Sequence, residues 1–471
     1  MTGPSIPVAC RLLRSLCVVA SLGVAGCQST RQADAIVRTM AADAGIADDI
    51  EFHNAGDPVD LRSRHDLVLS LPDAVRLALR TSPSVQQALA RVRSARADAL
   101  QARLLPNPVL SVAFRLPEGG GKPVIEAGLA GDLVSLLQRG GKTKAADQRL
   151  RAASAEVIVV ALDVIGELET HYITSAAIEA SIAVLGERLT LLGRLRDLAE
   201  ARLRAGEGIQ LDVTTLDAQR VELETDIAEQ RQELAEERLG LARLLGEPSG
   251  AADWKLDRAV ISGDTLAGEA DYVAEALRRR PEVAVLRWQL TALGVDLRLA
   301  GFAPFEGGEV GVDSERDEQW SVGPALSVPL PIFDWGQAKR SRIRAERVET
   351  VHKLNDQRRK VIEEVRRAYA AVRSTLSVAR RVRSELVPLQ QRRRDQAEAA
   401  YKTGHADVTA LLLADNDLQT ARAKLVDLER KVSLANSRLR RAVGGPAVAD
   451  RLSPTTTAPS VPAATSPAEQ R

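Results

Sequence analysis

Apolar residues recur at helical spacing over unusually long stretches of this chain. Val351, Leu354, Val361, Val365, Ala368, Val372, Ala379, Val382, Leu386 and Leu389 form one seam in steps of three and four, interrupted only at Arg358 and Thr375. Ile362, Tyr369 and Leu376 make a second stripe beside it, seven apart. One seam suits a two-stranded coiled coil. Two adjacent seams suit a helix with a neighbour on each side, in the wall of a cylinder or in a solid bundle. Proline is absent between Pro123 and Pro248, and only Pro388 lies between Pro331 and Pro446. Both stretches are therefore predicted to be helical hairpins that break near Gly206/Gly208 and Gly404. A first leg of about 60 residues would run roughly 90 Å.

The pattern is written twice. Leu79-Arg80-Thr81-Ser82-Pro83-Ser84-Val85 resembles Leu277-Arg278-Arg279-Arg280-Pro281-Glu282-Val283 at an offset of 198 residues, and Gly206/Gly404, Gly246/Gly444 and Pro248/Pro446 share that offset. A period this long means two large copies of one unit. Each copy opens with a short amphipathic helix (71–80, 273–280), then a second helix after the proline (84–105, 282–300). A pair of strands with period-two alternation follows in each, over 109–132 and 308–330. The expected organisation is a segment 1–26, an irregular lead-in 27–68, a first repeat 69–250, a connector 251–264, a second repeat 265–446 and a disordered Pro/Ser/Thr/Ala tail 447–471.

Composition narrows the function. There are 64 Lys+Arg against 63 Asp+Glu in 471 residues, a net charge of +1, which argues against a nucleic-acid binder. Five Phe, four Tyr and four Trp are too few for an ordinary core of this size and fit long helices packed along narrow seams. All three cysteines, Cys10, Cys17 and Cys27, lie in the first 27 residues, so no disulfide framework or Cys-based metal site serves the rest. Arg11, Arg14 and the short apolar stretch 15–25 make an export signal, ending in Leu22-Gly23-Val24-Ala25-Gly26-Cys27. That ending resembles a bacterial lipoprotein signal, which implies that Cys27 is acylated and becomes the mature N-terminus. Gln28 after it resembles the outer-membrane case.

Enzyme chemistry is not written here. His53, His65, His171, His352 and His405 have no zinc spacing, Gly119–Lys122 and Arg139–Thr143 lack the full phosphate-loop pattern, and no G-x-S-x-G occurs. No metal, cofactor or catalytic residue is expected. Four strands cannot close a membrane barrel, which needs about eight. They form a soluble sheet, or they combine between chains. Phe114, Trp320, Phe333 and Trp335 near the strand ends would serve as a membrane-interface girdle or as core anchors.

Over residues 69–446 the chain resembles the TolC family of outer-membrane efflux factors. The residues that carry the resemblance are Leu71-Pro72-Asp73-Ala74 through Pro83, Leu104-Leu105-Pro106-Asn107-Pro108, Val328-Pro329-Leu330-Pro331-Ile332-Phe333-Asp334-Trp335-Gly336 and the two glycine breaks. The resemblance implies a mainly α fold with a small β part. Three chains would pool their hairpins into a 12-stranded outer-membrane barrel on a periplasmic α-helical barrel. Such a homotrimer conducts passively, as the exit duct for a periplasmic adaptor and an inner-membrane transporter expected to be proton-driven. It would sit among the lipids of a Gram-negative outer membrane. The family pattern implies adaptor docking at Arg202, Gly206, Tyr401 and Gly404. It places acids at a pore constriction, for which Asp212, Asp407 and Asp415 are the candidates. Ala410 and Leu413 stand where the second tip's gate acids are expected; Leu413 would make an apolar constriction, and Asp407 serves equally well as a helix-start residue. The rival reading is a lipid-anchored periplasmic coiled-coil adaptor or scaffold without a pore, which leaves two matched strand hairpins unexplained.

Overall fold

The computed structural model describes residues 30–46, 50, 52, 68–116, 123–246, 254–257, 266–316 and 320–452. The first repeat contains α2 (Leu71–Thr81), α3 (Pro83–Gln101), β1 (Val109–Arg115), β2 (Val124–Asp132), α4 (Leu133–Arg204) and α5 (Gln210–Leu245), preceded by α1 (Thr30–Ala44). The second contains α6 (Glu269–Arg279), α7 (Pro281–Leu299), a 3-10 turn (Ala300–Phe305), β3 (Glu309–Arg316), β4 (Trp320–Ser327), α8 (Gln337–Arg381), a π turn (Val382–Leu386), α9 (Val387–Lys402) and α10 (Val408–Val443), followed by α11 (Pro446–Leu452).

Local chemistry sets these boundaries. Ser70 caps α2 by accepting from the Asp73 N–H, and Pro83 and Pro281 occupy the first turns of α3 and α7, where no donor is lost. Gly246 and Gly444 end α5 and α10 in the left-handed region, at φ 88° and 111°. The second long leg accommodates Pro388 by widening into the π turn just before it, because the ring removes an N–H and crowds the carbonyl four residues earlier.

The four strands form one antiparallel sheet in the order β1-β2-β3-β4. The two hairpins join through β2 and β3, from Ile125 opposite Arg316 to Asp132 opposite Glu309. β4 ends at Ser327, short of the expected 330, because Pro329 and Pro331 offer no ladder donor.

Beneath the sheet the helices pack in layers. α4 contacts α3, α5, α7 and α10, while α8 contacts α6, α7 and α10. One core gathers Leu79, Val85, Leu162 and Leu168 in the first repeat, and a second gathers Val361, Val365, Val372 and Val443 in the second. A third, near the Gly206 and Gly404 turns, joins α4, α5, α9 and α10 through Leu192, Leu216, Tyr401 and Leu411. Tyr172 ties the connector down: its hydroxyl donates to the Leu69 and Asp257 carbonyls at 2.7 and 2.9 Å. Burial pushes its pKa up to about 12.

Two expectations change. The lead-in is not wholly irregular, because Val37, Ala41 and Ala44 sit at helical spacing and bury one face of α1. The segment after 446 begins as α11, held by buried Val448 and Ala449.

Candidate functional site: the helical tips and the two-faced sheet

Both tips use the same turn. Gly206 and Gly404 have φ of 77° and 75°. At the first tip the Glu207 N–H reaches Arg202 O at 2.9 Å and the Gly206 N–H reaches Leu203 O at 3.1 Å. The second repeats this, with His405 to Ala400 at 2.9 Å and Gly404 to Tyr401 at 3.1 Å. This is the Schellman arrangement, and it requires the left-handed glycine. Among the described residues, no atom beyond the adjoining ones lies within 4 Å of a Cβ built on either glycine, so both project into open space.

The expected tip residues separate into two kinds. Arg202 lies over the Tyr401 ring at 5.2 Å. Tyr401 itself is only 2 % exposed, packed into the tip core, so it holds the two tips together and is not a free docking aromatic as expected. Asp407 is exposed and caps α10 by accepting from the Ala410 N–H at 2.9 Å. Asp212 is partly exposed in the first turn of α5, and Leu413 is exposed. Asp415 corrects the expectation of a constriction acid on an open surface. It is 1 % exposed, with Arg188 Nε of α4 standing 3.4 Å from its carboxylate. Burial pushes its pKa above the usual range against the pull of Arg188. The helical register places 415 on the α4 side of α10, which a count of residues from the glycine does not reveal.

The sheet has two chemically distinct faces. Residues paired across strands share a face, so the register places Leu110, Val112, Phe114, Ile125, Leu129, Val310, Val312, Trp320, Val322 and Leu326 on one side. The other side carries Ser111, Arg115, Glu126, Gly128, Gly311, Asp313, Glu315, Ser321 and Gly323. Phe114, Ile125, Arg316 and Trp320 form a single cross-strand row at the hairpin-turn end, with the Arg316 guanidinium 5.7 Å from the Trp320 ring. Phe333 and Trp335 lie beyond the opposite end of β4, both exposed. On the polar face Arg115 pairs with Glu126 at 2.9 Å. The acids of that face went unread in the sequence, although period-two alternation was the signal for them. Within the described residues neither outer strand has a partner beyond the sheet.

Cys27 and the Gly119–Gly121 turn lie outside the described residues. No described helix is long and apolar enough to cross a membrane, and no group of three His, Cys, Asp or Glu side chains among them could hold a metal ion.

Comparison with known proteins places this architecture. Residues 272–445 match the family model described as outer membrane efflux protein. The crystal structure of the outer membrane protein VceC from Vibrio cholerae superposes with a TM-score of 0.65 at 19 % identity, covering 80 % of this chain and 96 % of that one. CusC, solved in a study of its folding and transmembrane channel formation, gives 0.66 at 18 % identity, covering 84 % and 99 %. The fusaric acid resistance protein FusA of Burkholderia cepacia is 28 % identical over 354 residues, which span 68 % of this chain and 66 % of FusA, just under two-thirds of that relative. The second repeat thus matches the outer membrane efflux protein model, and the fold of VceC is shared over 80 % of this chain.

Proposed function

We propose that three copies of this chain form a passive exit duct through the outer membrane of a Gram-negative bacterium, completing a tripartite efflux system. The observation that carries this is the sheet: one face apolar and exposed, the other polar, and both edges open. A lone four-stranded sheet with an exposed apolar face is unstable in water. Three of them close into twelve strands, which removes every edge and puts lipid outside and water inside. A pore-free periplasmic scaffold would have no use for such a face. Phe114 and Trp320 at one end and Phe333 and Trp335 at the other then mark the two membrane boundaries.

In this reading a periplasmic adaptor docks on Arg202, Gly206 and Gly404, with Tyr401 supporting Arg202 from beneath. An inner-membrane transporter, proton-driven, supplies the energy and selects the cargo. Asp212, Asp407 and Leu413 line the constriction, where one acid per chain becomes a ring of three that favours cations. Acylated Cys27 adds a lipid anchor to a protein the barrel already holds.

The decisive experiment is planar-bilayer conductance of the purified protein, alongside its migration in SDS without heating. Stepwise channel openings from an SDS-resistant trimer are expected; a non-conducting monomer overturns the proposal. Asp212→Ala and Asp407→Ala, singly and together, should lower cation selectivity. Parental selectivity in all three would remove both residues from the constriction. Bulky substitutions at Gly206 and Gly404 should leave trimers intact and abolish adaptor cross-linking.

A further inference from the structure

Just below the sheet, α4, α7 and α8 line an open cleft of about 400 Å³. Leu293, Leu299 and Ile343 supply apolar wall, and α4 comes close to Leu299 because residue 141 is glycine: a Cβ there would meet Leu299 Cδ2 at 2.4 Å. The polar lining is nearly self-neutralising. Arg149 pairs with Asp296, Lys339 with Glu306 at 2.6 Å, and Arg342 with Glu346 at 2.8 Å. Two groups remain. Among the described residues Lys142 makes no ion pair: its Nζ stands 3.2 Å from the Ser135 hydroxyl, and its charge reaches the Asp132 carboxylate only at longer range. Gln138, one helical turn earlier on the same face, is 3 % exposed, and its Nε2 donor has no partner among the described residues. Leaving a buried amide donor unmade costs roughly 1–3 kcal/mol. A cation without a close ion pair and an orphan donor lining one cleft suit a singly charged anion with several acceptor oxygens.

The height of the cleft says where that anion comes from. Leu136, Leu137, Phe302, Phe305, Phe333 and Trp335 are exposed around the base of the sheet. On the channel reading they mark the periplasmic edge of the hydrocarbon. Lys142 lies five residues beyond Leu137 on one helix, about 7.5 Å further along. That is headgroup depth, since the polar layer adds several ångströms to each side of the core.

We propose that Gln138 and Lys142 hold the phosphodiester of a phospholipid from the periplasmic leaflet, one per chain, with its glycerol and upper acyl carbons against Leu293, Leu299 and Ile343. This rests on the outer-membrane channel reading, and the site is separate from the conduction path's acids.

The test uses full-length protein purified in detergent, with conductance recorded first so that the channel reading is judged independently. Binding of dihexanoyl phosphatidylglycerol is then measured by native mass spectrometry and thermal shift, with inorganic phosphate as the second probe. The parent should retain one phospholipid per chain. Gln138→Leu and Lys142→Gln should each weaken binding roughly tenfold, the worth of one charge-assisted hydrogen bond, while conductance is unchanged. Equal lipid retention by a conducting parent and both conducting variants overturns the proposal. So does tight binding of inorganic phosphate with no preference for the lipid, which would mark a site for free anions. If Gln138→Leu misfolds, Lys142→Gln at the more exposed position still decides.

Discussion

The two return legs, α5 and α10, are the same helix written twice and used differently. Each is 36 residues long, each starts four residues after its tip glycine, and each ends at a left-handed glycine. Yet α5 buries 8 residues and α10 buries 17, including Asp415, Gln419, Ser433, Asn436 and Ser437. The difference comes from neighbours. α10 lies between α4 and α8, so it forms the seam that joins the two repeats, whereas α5 packs mainly on α4. Its remaining face, with Leu211, Val221 and Leu239 exposed, is left to solvent or to other copies. Duplication therefore fixed the length and the caps, and position in the layer then decided which faces became apolar.

The largest test of this contrast is a matched truncation. Leu418→Ala in α10 should cost about 2–5 kcal/mol, as a buried leucine does, whereas Leu239→Ala in α5 should stay within about 0.5 kcal/mol. Thermal unfolding of the two variants measures it. An equal cost at Leu239 would show that assembly covers the outer face of α5.

The turn and the cap form the next pair. Gly206→Ala should cost about 1–2 kcal/mol for the left-handed backbone alone. Gly246→Ala should cost more, because its Cβ would also press on Thr81 at 2.9 Å. Comparable melting temperatures would mean that α2 yields at that contact.

A smaller effect sits in the seam itself. Glu169 of α4 is buried and accepts from the Ser437 hydroxyl of α10, and burial raises its pKa. The folded state thus keeps this proton to higher pH than the unfolded chain does. Its contribution is complete below the unfolded pKa and is lost as pH rises through the folded one. Glu169→Gln keeps an acceptor for Ser437 and should flatten that dependence. A gain of about 1 kcal/mol at pH 8 with none at pH 4 is expected; parallel melting curves would exclude it. Smallest of all, Arg202→Ala should remove about 0.5–1 kcal/mol of tip cohesion, read as faster backbone exchange around Gly404.

Much of this architecture was legible in the residues. The 198-residue offset reappears as matched glycines of positive φ, and the seam from Leu354 to Val382 is buried at nearly every position. Those signals are local or periodic, so a single strand of text carries them. What stayed hidden depended on neighbours remote in sequence. Tyr401 is covered by Arg202 from the other tip, and Asp415 is covered by Arg188, 227 positions earlier by their numbering. The helix at 30–44 was spelled in Val37, Ala41 and Ala44, but its short apolar face sits in a polar segment and gains its burial from α4 and α11.

The open edges of the sheet carry a genetic consequence. If closure takes three chains, a variant whose edge strand cannot pair does more than lose its own function. Expressed at parity beside a normal copy, with random mixing, it leaves roughly one assembly in eight built of normal chains alone. Lesions in β1 or β4 should therefore behave as dominant, while those confined to a single chain's helical core, which remove the chain before it can mix, should be recessive.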